Sequence, residues 1–190
     1  KEQSNNKSFF KYGWCFGLGY FLFSLYWIAI SLTFDKSFKL LIPLAIILLP
    51  ALLAIFYGLM TYLFSILYSK NVVCSFFIFS VLFGTTEFIR GFILTGFPWN
   101  LIAFSFSDSL YFIQILSIIG TYSFNLICIS LFTVPALFIL RNSRIETMIC
   151  FFFILISAVF LIFGQIKNDN FNSLENIKNS YVIKAISPNI

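Results

Sequence analysis

Five apolar runs follow one another along this chain with short breaks between them, over about residues 9–34, 40–68, 72–94, 111–140 and 145–166. Each is near or above the ~20 residues that a helix needs to cross the hydrocarbon of a bilayer. Lipid offers no hydrogen-bond partner to the backbone, so a spanning segment must satisfy its own N–H and C=O groups, as a helix does. Composition agrees: 60% of the 190 residues are hydrophobic and 10% are charged. That leaves too little polar surface to coat a water-soluble core. The expected fold is an all-α polytopic membrane helix bundle of about five transmembrane helices.

The runs carry their own punctuation. Pro43 and Pro50 in the second predict a late start or a kink. Gly120 interrupts the fourth, which is overlong, so its first turns are expected at the interface. Gly13 and Gly17 are spaced for close helix–helix packing. Trp14 and Trp27 stand 13 residues apart on the first run, about 20 Å at 1.5 Å per residue, the spacing of an interfacial belt. Gln114 and Asn125 are expected to hydrogen-bond between helices.

Loop charges suggest an orientation. Lys1, Lys7, Lys11, Lys70, Arg141 and Arg144 fall on the side of the N-terminus. The opposite side has Lys36 and Lys39 in its first loop and no Lys or Arg between residues 95 and 110, while Lys167, Lys178 and Lys184 follow the last run. Positive charge stays preferentially in the cytoplasm. The N-terminus is therefore expected in the cytoplasm and the C-terminus outside it.

Histidine is absent, which removes Ser-His-Asp and Cys-His catalysis and every His-ligated metal site. Cys15, Cys74, Cys128 and Cys150 lie inside apolar runs without C-x-x-C spacing. They read as small buried hydrophobes rather than reactive thiolates. No catalytic residue, metal or cofactor is assigned to this stretch, and no nucleic-acid partner is expected.

The chemistry concentrates in residues 86–100, Thr-Glu-Phe-Ile-Arg-Gly-Phe-Ile-Leu-Thr-Gly-Phe-Pro-Trp-Asn. Glu87 and Arg90 are one helical turn apart, on one face, and can neutralise each other. Ionisable side chains in hydrocarbon are costly and usually have a partner or a function. The run then breaks at a Gly/Pro/Trp turn. Glu87, Arg90, Trp99 and Asn100 are the candidate substrate-binding residues. An arginine suits bidentate phosphate contact; Trp99 on the Pro98 turn suits a belt or a lipid gate; Asn100 could donate to an ester carbonyl or cap a helix. The competing reading is a self-neutralised pair that locks helix packing.

After Gln165 the composition turns polar. The expected organisation is a transmembrane domain over 1–166, an extracytoplasmic linker over 167–180, and a β-strand over 181–190. That strand, Tyr-Val-Ile-Lys-Ala-Ile-Ser-Pro-Asn-Ile, ends at a proline turn and cannot stand alone.

Four blocks together give a resemblance. They are Gly13-Trp14-Cys15-Phe16-Gly17-Leu18-Gly19-Tyr20 with Tyr26-Trp27-Ile28 and Ser31; Glu87-Phe88-Ile89-Arg90-Gly91 through Thr95-Gly96-Phe97-Pro98-Trp99-Asn100; Gln114-Ile115 through Ile119-Gly120-Thr121-Tyr122-Ser123-Phe124; and the strand ending Ser187-Pro188-Asn189-Ile190. In this order they resemble the apolipoprotein N-acyltransferases of the bacterial inner membrane. The resemblance implies a phospholipid acyl donor, a diacylglyceryl apolipoprotein acceptor, and a thioester formed on a cysteine thiolate. It implies that a Glu-Lys-Cys triad sits in a nitrilase-like domain beyond residue 190, so residues 1–190 alone are expected to be inactive in acyl transfer. The alternative is a non-enzymatic polytopic protein, a transporter component or a decayed remnant.

Overall fold

The structure, a computed structural model, describes residues 2–34, 36–93 and 98–173. Among them it is a bundle of long helices with no strand. The rest of the expected linker and the whole expected strand over 181–190 lie outside the described residues.

Helix α1 (Glu2–Leu25) is followed by a short α2 (Ile28–Ser31), a 3-10 helix (Lys36–Leu41) and α3 (Ile42–Leu67). Helix α4 (Val72–Arg90) comes next. A second 3-10 helix (Ile102–Phe106) and the short α5 (Leu110–Ile113) and α6 (Leu116–Ile119) lead into α7 (Thr121–Ile139), and α8 (Arg144–Asn172) closes the order. Four segments are long and apolar enough to cross a membrane: Lys39–Leu67, Val72–Arg90, Thr121–Ile139 and Arg144–Asn172. Helix α1, at 24 residues, is long enough for a fifth but opens with a polar turn.

Local sequence explains the boundaries. Asn71 caps α4, its side chain accepting from the Cys74 N–H at 3.2 Å. Ser143 and Glu146 form a reciprocal capping box at the start of α8. Pro43 sits in the first turn of α3, where its missing N–H costs nothing. The helix continues through Pro50. The fourth run divides at Gly120, whose φ of +75° few L side chains adopt. The spanning helix thus starts at Thr121, and 110–119 forms the two short helices before it. The first run stops at Leu25, short of the expected end. Helix α8 continues through Lys167 to Asn172, into the stretch read as linker, since no Gly or Pro stands there to end it.

Helices α1 and α3 pack closest. Gly13 faces Thr61, and a Cβ on Gly17 would lie 3.0 Å from the Cα of Ala54. These pairs run in opposite directions, so the two helices are antiparallel. The Thr61 hydroxyl donates to the Phe9 carbonyl at 2.8 Å, and the Trp14 indole N–H donates to the Ala51 carbonyl at 3.1 Å. Phe21, Tyr57, Met60, Phe83 and Ile129 join α1, α3, α4 and α7 in one core. Phe76, Val134, Cys150 and Phe153 join α4, α7 and α8 in another. Large apolar side chains such as Ile47, Leu59, Phe151 and Leu155 are exposed on the outer flanks, as a lipid-facing surface requires. Cys128 and Cys150 are buried, but Cys15 and Cys74 lie on exposed helix flanks. Lipid, rather than protein, covers an apolar side chain there at little cost.

Candidate functional site: a buried ionic cluster beneath an exposed turn

The last turn of α4 places Glu87 and Arg90 on its inner face, 0% and 1% exposed. The Glu87 Oε1 lies 3.6 Å from the Arg90 Nη2. Tyr57, from α3, donates its hydroxyl to the Glu87 Oε1 at 2.8 Å. Asn125, from α7, donates its amide to the Glu87 Oε2. Both carboxylate oxygens are thus engaged by donors from two further helices, as a buried charge demands.

Arg90 extends the cluster to the turn. Its Nη1 donates to the Trp99 carbonyl at 2.9 Å, and its Nη2 lies 3.5 Å from the Asn100 carbonyl oxygen. The guanidinium carbon lies 5.2 Å from the centre of the Phe21 ring on α1, a cation–π contact. Tyr20, one residue before Phe21, donates its hydroxyl to the same Asn100 carbonyl at 2.9 Å. Asn100 has φ +57°, the left-handed conformation that Asn tolerates better than most residues. The Asn125 Oδ1 accepts the Ala103 N–H at 2.9 Å and so fixes the start of the second 3-10 helix. The result is one connected polar network that ties α1, α3, α4 and α7 to residues 99–103.

The four sequence-predicted residues therefore meet, but in two different ways. Glu87 and Arg90 face inward. Trp99 and Asn100 are held by their main-chain oxygens; Trp99 is 52% exposed, and its indole packs on Trp27, with ring centres 5.9 Å apart. Asn100 caps no helix: the N-cap of the following 3-10 helix is Leu101. Tyr20 and Tyr57 were not assigned to the site from sequence, although a tyrosine within an apolar run carries a hydroxyl that must find a partner. Asn125 bonds between helices as expected. Gln114 falls at the C-cap of α5, outside the spanning helix.

Beside the cluster lies a cavity of about 450 Å³ between α1, α3, α4 and α7. Its floor is buried Tyr57, Met60, Phe83 and Ile129; its rim is exposed Tyr12, Phe16 and Phe132.

Fold and site define a polytopic α-helical membrane protein whose interior charge pair anchors a tryptophan-bearing turn at one end of the bundle. More particularly, the chain belongs to the family described as the apolipoprotein N-acyltransferase N-terminal domain, whose model matches residues 1–134. The chain is similar to an apolipoprotein N-acyltransferase of Allorhizobium ampelinum, 36% identical over 134 residues, which are 69% of this chain and 25% of that protein. It is 39% identical over 132 residues to the enzyme of that name from Rhizobium etli, covering 68% and 24%. It is 37% identical over 128 residues to the one from Brucella melitensis, covering 67% and 24%. The chain thus spans about a quarter of the length of the curated relatives it matches. No solved structure matches it.

Proposed function

We propose that these residues are the membrane portion of an apolipoprotein N-acyltransferase, which moves a fatty acyl group from a phospholipid to the N-terminal diacylglyceryl-cysteine of a lipoprotein. The observation that carries this reading is the buried Glu87–Arg90 cluster, which anchors a Trp-bearing turn at one end of a lipid-facing bundle. In this reading Trp99 and Asn100 meet the lipid substrates, and Glu87 and Arg90 are positioning residues that keep them in place. The groups that form the thioester belong to the part of the relatives that this chain does not match. Its own four cysteines all lie in helices, and none lies in the Glu87 cluster. The membrane is the bacterial inner membrane, with the N-terminus cytoplasmic and the Trp99 turn on the outer side.

The test uses an active acyltransferase that carries this segment. Arg90→Ala is expected to lower N-acyl transfer per mole of membrane-inserted enzyme, with Trp99→Ala raising KM for the lipid more than it lowers kcat. If activity falls only in step with membrane abundance, Arg90 serves folding alone and the reading loses its support. Purified residues 1–190, given phospholipid and acceptor peptide, are expected to form neither thioester nor N-acyl product.

A further inference from the structure

We propose that the corner between α7 and α8 binds the phosphodiester headgroup of an anionic phospholipid, through Arg141 and Arg144 with Lys70 beside them. The corner lies at the opposite end of the bundle from the Trp99 turn, and the proposal does not depend on the acyltransferase reading. Three segments of the chain meet there. Val72, two residues after Lys70, packs on a core that contains Leu137 of α7 and Cys150 of α8. The α3–α4 connection therefore adjoins the α7–α8 connection. Lys70, Arg141 and Arg144 are all exposed.

The acidic residue of this corner is engaged elsewhere. Glu146 is buried, and its Oε2 accepts the backbone N–H groups of Asn142 and Ser143. Among the described residues, no carboxylate forms an ion pair with Lys70, Arg141 or Arg144. The corner thus carries positive charge that nothing beside it neutralises, and it attracts anions. Arg141 is also restrained. Its guanidinium carbon lies 3.6 Å from the centre of the Phe138 ring, a cation–π contact. Stacking of this kind uses the face of the guanidinium and leaves its in-plane N–H donors open to phosphate oxygens.

The surroundings select a lipid over a soluble acidic partner. Ile139 and Leu140 precede Arg141, and Ile145 and Met148 follow Arg144; they are 79%, 60%, 62% and 69% exposed. Helices α7 and α8 are each long and apolar enough to cross a membrane, so these side chains face hydrocarbon. Cation and hydrocarbon thus stand within a few residues of each other. A phosphodiester that carries acyl tails matches both, as anionic lipids do at basic pockets between membrane helices. An acidic protein would match the charges alone.

The experiment is native mass spectrometry of residues 1–190 released from nanodiscs of equal parts phosphatidylglycerol and phosphatidylcholine. A basic residue near the surface favours anionic lipid about fivefold, so wild type is expected to retain phosphatidylglycerol over phosphatidylcholine by roughly tenfold or more. Arg141→Gln/Arg144→Gln is expected to bring the ratio close to one. Asn142→Asp keeps both arginines but sets a carboxylate between them, and is expected to lower the ratio several-fold. Lys167→Gln removes another cation that lies near an aromatic ring, 5.9 Å from the centre of Phe163, at the far end of α8; it is expected to leave the ratio unchanged. Equal retention of the two lipids by wild type, or a loss as large in Lys167→Gln as in the double variant, would overturn the site. Glycerophosphoglycerol, the same headgroup without tails, is expected not to displace the lipid at millimolar concentration. Displacement by it would overturn the lipid as the occupant.

Discussion

At the scale of the residue, Glu87 shows how a bundle in lipid accommodates a charge. Its carboxylate is matched by a guanidinium, a phenol and an amide from three helices. Removing one side of such an arrangement leaves the other buried without compensation. Glu87→Ala should therefore cost about 3–5 kcal/mol, read as easier unfolding in mixed detergent micelles. The Glu87→Ala/Arg90→Met double variant should lose less than the sum of the two single changes, because it strands no charge. Tyr57→Phe removes one donor to a charged acceptor and should cost about 1–3 kcal/mol in the same assay. The pairing of Glu87 with Arg90 was legible because their spacing alone puts them on one face. The contribution of Tyr57 was not, because it depends on how far α3 slides along α4, and apolar runs of this kind leave that register open. Tyr20 was hidden for a related reason: its partner is a main-chain oxygen, which no side-chain pattern announces.

At the scale of the element, two glycines set the architecture. Gly17 lets α1 approach the backbone of α3, with no room for a branched side chain. Gly17→Ile should separate the pair and cost about 1–3 kcal/mol by overpacking, detected as faster proteolysis of α1 in micelles. Gly120, at φ +75° and ψ 168°, occupies a region nearly reserved for glycine. Gly120→Ala should cost about 1–3 kcal/mol through backbone strain alone, since nothing crowds its Cβ position. The helices themselves were readable from apolarity and length. Their ends were less so. The Gly in the fourth run signalled a break, and the structure puts one there; the stop of α1 at Leu25 has no glycine or proline to signal it. The extension of α8 beyond Ile166 also ran against composition, because polar residues without a breaker can continue a helix once its apolar part has formed.

At the scale of the whole molecule, the helices alternate in direction, so the α3–α4 and α7–α8 connections share one end and the Trp99 turn occupies the other. Lys70, Arg141 and Arg144 are exposed at the first of these ends. With that end cytoplasmic, a membrane-impermeant amine reagent should modify Lys70 in inverted vesicles and not in right-side-out ones. The reverse pattern would put the Trp99 turn in the cytoplasm and contradict the proposed orientation. The class of fold was legible because a bilayer permits so few solutions to an apolar chain. The placement of the polar network near one end was only half legible: residues 86–100 marked the end, but the contributions of α1, α3 and α7 needed the packed bundle.

The hold that Arg90 has on the turn ends on carbonyl oxygens, and a carbonyl is the same on every residue. A clasp of that kind is blind to the side chain it presents. Position 99 can then be exchanged in related sequences, and its outward surface reshaped for a different lipid, without loosening the anchor beneath it. Inheritance can preserve the socket and vary the tool.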